Sequence, residues 1–177
     1  VQCIDQCRSE EKGACVSNDG SCIFTTRNSC IEKSETTLDN GTKTTLKTGF
    51  HVNALCSNPL LGTNCARQQK TSCLNEKVYW MDSCGNSENV YDSNKDRSYN
   101  NGFILDESKS CKLNSPNDVN CGNCNYAQGN LCGKSPSNVN MKYGEYSCND
   151  LSCQKTTINV ASPDSNGVKE TGESWCL

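Results

Sequence analysis

The stretch Cys73-Leu-Asn-Glu-Lys-Val-Tyr-Trp-Met-Asp-Ser-Cys84 holds the main apolar run of the chain, Val78, Tyr79, Trp80 and Met81. The run is of strand length and rich in β-branched and aromatic residues. Polar turn formers bound it, Leu74-Asn75-Glu76 before and Asp82-Ser83-Cys84-Gly85-Asn86 after. Alternation puts Val78 and Trp80 on one face and Tyr79 and Met81 on the other. Gly85-Asn86 then turns the chain towards a second short strand, Asn89-Val90-Tyr91. The stretch predicts a hairpin anchored by sulfur, with Trp80 buried.

Little else in the chain is apolar. Leu, Ile, Val and Phe make 28 of the 177 residues, a level at which a highly charged chain would stay unfolded. Here the net charge is only −3, and 16 cysteines change the expectation to a disulfide scaffold. A core this thin does not offset chain entropy alone, and each crosslink typically contributes ~2–4 kcal/mol by restricting the unfolded state. The expected bridge formers are Cys3, Cys7, Cys15, Cys22, Cys30, Cys56, Cys65, Cys73, Cys84, Cys111, Cys121, Cys124, Cys132, Cys148, Cys153 and Cys176. Their even number permits full pairing, but about two million connectivities are possible, so spacing alone selects none. The compartment implied is oxidising, extracellular or at a cell surface. No apolar stretch is long enough for a membrane span, and the balanced charge offers no basic stripe for nucleic acid. Starting at Val1, without Met or leader, the chain reads as processed or excised.

Away from the central stretch, Asn18-Asp19-Gly20-Ser21 signals a turn into a strand over Cys22–Thr26. Cys3 and Cys7 sit one helical turn apart, although an irregular stapled segment is the plainer account. Glu35 to Leu46 reads as two polar strands joined at Asn40-Gly41. Asn40-Gly41-Thr42 is also a glycosylation acceptor pattern, and the turn needs no sugar to explain it. Asp92 to Gly102 reads as a long polar loop leading into a short buried strand, Phe103-Ile104-Leu105. Met141 to Cys148, with Gly144 as a bulge, and Thr156 to Val160 read as further strands. No window shows sustained helical periodicity. Cysteine parity divides the chain at about residues 60 and 115, giving modules 1–60, 61–115 and 116–177 or one integrated domain.

Candidate chemistry is sparse. Cys121-Gly-Asn-Cys124 is the chain's CxxC, but it lacks the second ligand pair of a zinc site and the strand–helix setting of a redox site. Two bridges to separate partners explain it better. His51 is the single histidine, and no nucleophile signature surrounds a candidate partner. Asp82, Glu88, Asp92, Glu145 and Asp150 are potential acid pairs for glycoside hydrolysis, with scattered surface acids as the plainer account. Asp92-Ser-Asn-Lys-Asp96 resembles the start of a calcium loop but lacks its central Gly and closing Glu. The sequence therefore assigns no catalytic residue, metal or cofactor. Tyr79, Tyr91 and Tyr99 are candidate interface residues, since aromatics are enriched at contacts.

Three stretches carry a resemblance: Val78-Tyr-Trp-Met-Asp-Ser-Cys-Gly-Asn86, Cys121-Gly-Asn-Cys-Asn-Tyr126 with Leu131-Cys-Gly133, and Gly172-Glu-Ser-Trp-Cys176. They resemble cysteine-rich segments of uncharacterised surface proteins of small-genome archaea, mainly over residues 73–177. In those segments the last motif runs on past its cysteine, which implies a longer natural chain than one ending at Leu177. The resemblance implies an extracellular, disulfide-rich protein and brings no site residue with it.

The expectation is a mainly β, small disulfide-rich fold, in two or three small sheet or sandwich-like modules with long polar loops and little helix. The expected role is a non-enzymatic structural or adhesive one: a subunit of a surface layer, appendage or filament, or a cell-surface ectodomain. Self-association, another surface protein or a glycan would supply the partner. The alternative is a secreted monomeric binding module, such as a toxin, lectin-like or inhibitor domain, with Asp92–Asn101 as its exposed loop.

Overall fold

The computed structural model describes residues 9–34 and 48–151, with residues 31–34 described in backbone only. It is mainly β and disulfide-rich, with three small antiparallel sheets. The first contains β1 (Lys12–Val16), β2 (Cys22–Thr26) and β3 (Gly49–Val52), in the order β2-β1-β3. The β1–β2 turn forms because Asp19 Oδ1 accepts hydrogen bonds from Ser21 N at 2.9 Å and Ser21 Oγ at 2.7 Å, while Gly20 takes φ 84°. A helix, α1 (Arg27–Ser34), follows β2 directly. Its start is fixed by Arg27, whose guanidinium is 2.8 Å from Glu11 Oε2, and by Cys30, bridged to Cys15 on β1.

The second sheet is β4 (Lys70–Leu74), β5 (Lys77–Met81) and β6 (Ser87–Val90), in chain order. As the alternation requires, Val78 and Trp80 are buried while Lys77, Tyr79 and Met81 are partly exposed. β4 adds a strand where the sequence suggested only a turn. Asn75 and Glu76 both have positive φ, 44° and 68°, the conformation of a two-residue hairpin turn whose twist matches its strands. The β5–β6 turn is organised by Asp82. Its Oδ1 accepts from Cys84 N and Asn86 N, and its Oδ2 from Asn86 Nδ2. Asn86 then spans to the first sheet, accepting from Phe24 N and donating to Cys22 O, as a neighbouring strand would.

The third sheet pairs β7 (Asn130–Lys134) with β8 (Tyr146–Asp150). Cys73–Cys132 ties it to β4, and Cys124–Cys148 ties β8 to the preceding loop. The remaining bridges are Cys22–Cys56, Cys65–Cys84 and Cys111–Cys121, so every cysteine among the described residues is paired. On the chain-entropy account the 59-residue loop closed by Cys73–Cys132 is worth about 4 kcal/mol, the largest share of the six.

Several sequence expectations need correction. Residues 92–102 are not an open loop: α2 (Lys95–Tyr99) forms there, capped by Asn94 Oδ1 accepting from Arg97 N at 3.1 Å. Asp92, Ser98 and Tyr99 are buried by this packing. Phe103-Ile104-Leu105 is not a buried strand, because Phe103 makes one isolated bridge to Ala54 and its ring stays exposed. Residues 142–145 form bends, and the strand begins only at Tyr146. Gly144 is no bulge within a strand. It has φ 74°, and a Cβ there would sit 1.9 Å from Thr71 Oγ1, so it marks a close approach to β4. Cys73–Cys132 and Cys111–Cys121 both cross residue 115, where cysteine parity placed a boundary. Near residue 60 the link is both apolar and polar: Leu61 and Cys65 share a buried cluster with Ala14 and Val16, Tyr99 Oη donates to Ser57 O at 2.7 Å and Asn58 Nδ2 to Gly102 O at 3.0 Å. The Glu35–Leu46 hairpin, Asn40, the Thr156–Val160 strand and Cys3, Cys7, Cys153 and Cys176 lie outside the described residues.

Candidate functional site

Where the first two sheets meet, a cleft of about 480 Å³ opens between β2, β6 and the segment 104–107. Phe24, Leu74, Ile104 and Leu105 give it apolar walls, and Tyr79, Asn75, Asp106 and Glu107 line its polar side. The alternation that buries Trp80 turns Tyr79 to the opposite face, towards this cleft. There its hydroxyl donates to Glu107 Oε1. Burial, then the hydrogen bond and charge of Glu107, hold the phenol above its ordinary range, so it stays protonated. Asp106 caps the short turn 107–109 by accepting from Ser108 Oγ and, at 2.8 Å, from Ser108 N, and these two bonds in that order hold its carboxyl below the usual range. The mixed lining suits a small polar ligand or an extended side chain.

Of the tyrosines expected at an interface, only Tyr79 is available. Tyr91 is fully buried, its ring 5.1 Å from Trp80 and its hydroxyl donating to Val119 O at 3.0 Å. Burial pushes the Tyr91 phenol up to about 12. Tyr99 is 8% exposed and covered by Arg67, whose guanidinium lies 4.6 Å from the ring centre. The reason is the thin core: with so few aliphatic side chains, tyrosines fill the interior.

The carboxylates are not gathered as acid and base. Asp82 organises its turn, as above. Asp92 accepts from Asn94 N at 2.8 Å and Arg97 Nε at 2.6 Å. Glu88 accepts from Ser57 Oγ and, at 2.7 Å, from Gln68 N. Burial nevertheless raises the Glu88 carboxyl above its usual range, and the negative charge of Asp82 adds to that. Glu145 pairs with Lys134 at 3.9 Å, both exposed. Asp150 ends β8. His51 lies on β3, in a shallow hollow of about 350 Å³ with Phe50, Val52, Leu60 and Phe103.

The CxxC segment sends its sulfurs to separate partners, Cys121 to Cys111 and Cys124 to Cys148. Between them Gly122 N donates to Tyr91 O at 2.8 Å and Gly122 O accepts from Val78 N at 2.9 Å. A Cβ on Gly122 would fall 2.6 Å from Val78 Cβ, which explains the glycine. Cys65, Asp82 and Cys84 lie close enough to suggest a metal site, but the two sulfurs are bonded to each other and offer no thiolate. Among the described residues no helix is long and apolar enough to cross a membrane.

Sequence reasoning missed the cleft, because Phe24, Tyr79 and Glu107 are far apart in the chain. The alternation at Tyr79 was the one signal pointing there. No protein-family model, curated protein or solved structure matches the chain.

Proposed function

We propose that the chain is a non-enzymatic extracellular protein with a structural or adhesive role, as a subunit of a surface layer, appendage or filament or as a cell-surface ectodomain. The observation that carries this reading is the disulfide framework, which among the described residues is six bridges holding three small sheets whose apolar cores are slight. A chain fastened in this way suits an oxidising exterior where endurance matters more than mobility. The buried carboxylates support it as well, since Asp82, Glu88 and Asp92 are each occupied by two or more internal donors. Its partners are further copies of itself, another surface protein or a glycan, with no role for nucleic acid.

Negative-stain electron microscopy of natively isolated, non-reduced protein tests this. Ordered filaments or sheets are expected, and separate small particles would overturn the assembling form of the proposal. The cleft beside Tyr79 favours the second reading, a secreted binding module. That reading predicts a monodisperse particle whose ligand quenches Tyr79 fluorescence.

A further inference from the structure

Lys77 stands at the start of β5 with its side chain only 19% exposed. Its ammonium donates to Asn123 Oδ1 at 2.8 Å and to Cys124 O at 2.7 Å. Glu107 Oε2 lies 3.7 Å from the same nitrogen. The Asn123 amide is fixed from its other side, where Nδ2 donates to Glu107 O and Cys111 O, both at 3.0 Å. Those two acceptors settle the orientation of the amide, oxygen towards the lysine and nitrogen away. Glu107 is itself steadied by the Tyr79 hydroxyl. An amine, a carboxamide and a carboxylate thus meet from three separate segments, each positioned by its own hydrogen bonds.

We propose that Lys77 and Asn123 react with each other, forming an intramolecular isopeptide bond with Glu107 as the proton carrier. Glu107 takes a proton from the Lys77 ammonium. The freed lone pair attacks Asn123 Cγ, one bond from the oxygen that Nζ already contacts. A new C–N bond forms, and the Cγ–Nδ2 bond breaks as Nδ2 receives the protons relayed by Glu107. The products are a secondary amide joining the two side chains and one ammonium ion, so atoms and charge balance without oxidant, reductant or co-reactant. Holding both reactants at contact distance is what makes an otherwise slow exchange feasible, because the loss of freedom is met by the fold in advance. The link spans 46 residues and fastens β5 to the loop that carries Cys111, Cys121 and Cys124. It places a crosslink that reductants do not cut beside ones that they do. The proposal stands apart from the structural reading, since a monomeric binding module would gain the same stability.

Intact-mass spectrometry and tryptic mapping of the natively isolated full chain, after reduction of its disulfides, test it directly. The expected mass is lower than the sequence mass by one ammonia. Trypsin should fail to cut after Lys77, and one linked peptide should contain both Lys77 and Asn123. Lys77→Arg should abolish the link. Glu107→Gln should slow its formation by about a hundredfold or more, with near-ultraviolet circular dichroism showing an intact fold. A chain of full mass, cut normally after Lys77, would overturn the proposal. So would an ammonia loss that maps instead to a cyclised Asn40-Gly41.

Discussion

Around the first sheet the buried cluster is Ala14, Val16, Ala54 and Leu61 together with Cys22, Cys56 and Cys65. Around the central sheet it is Val78, Trp80 and Tyr91 with Cys124 and Cys148, and Met141, Tyr143 and Tyr146 pack against it. In the first region the largest buried side chain is a leucine, so sulfur supplies much of the interior itself. In the second, Trp80 sits among Tyr91, Tyr143 and the Lys95 ammonium, 4.9 Å from its ring centre, so that the Cys124–Cys148 bridge lies within an aromatic core while Cys73–Cys132 ties strands β4 and β7 beside it. Both regions meet the same shortage of apolar residues. One answers with covalent bonds, the other with a few large rings.

Trp80→Ala should break this comparison most severely. Removing a buried tryptophan destabilises by about 3–5 kcal/mol, and denaturant unfolding should show the loss concentrated in the central sheet. Replacing Cys22 and Cys56 together by alanine should cost about 2–5 kcal/mol, with hydrogen exchange rising in β1 and β2 more than in β5. If β5 opens equally, the regions are not distinct. Gly122→Ala should cost about 1–3 kcal/mol, because the new methyl meets Val78 and Tyr91 with no room to yield. A thermal melt checks it, and an unchanged midpoint would show that the CxxC loop can retreat.

The smallest effect concerns pH. The folded chain binds the Glu88 proton more tightly than the unfolded chain does, so the native state holds more protons between the two values. Stability from this group is therefore full below the ordinary carboxyl range and is lost as pH rises through that range to the raised folded value. Glu88→Gln should flatten that decline in denaturant midpoints measured from acid to neutral pH. An identical slope in the variant would place the pH dependence elsewhere.

The chain's legibility follows the same division. At β5 an unbroken run of β-branched and aromatic residues declared the strand, and the two-residue period of a strand put Val78 and Trp80 together on its buried face, while Asp19-Gly20 declared the turn before β2. β4, Lys-Thr-Ser-Cys-Leu, is polar and owes its strand to pairing with β5, which no local pattern records. α1 lacks apolar periodicity and is set by Cys30 and Arg27, whose partners lie on or beside another strand. Tyr91 and Tyr99 looked like surface aromatics because tyrosine serves both surface and core, and only the scarcity of leucine sends them inside. The disulfide map and the Lys77–Asn123–Glu107 meeting are products of tertiary folding, so spacing could not reveal either.

The most direct test of the account is hydrogen exchange followed by mass spectrometry during graded reduction. The account predicts that amides of residues 12–26 lose protection first, while those of residues 77–81 and 87–90 keep theirs until the fold fails as a whole. Simultaneous loss in both regions, or earlier loss around Trp80, would contradict the claim that sulfur is the core of one and aromatic packing the core of the other.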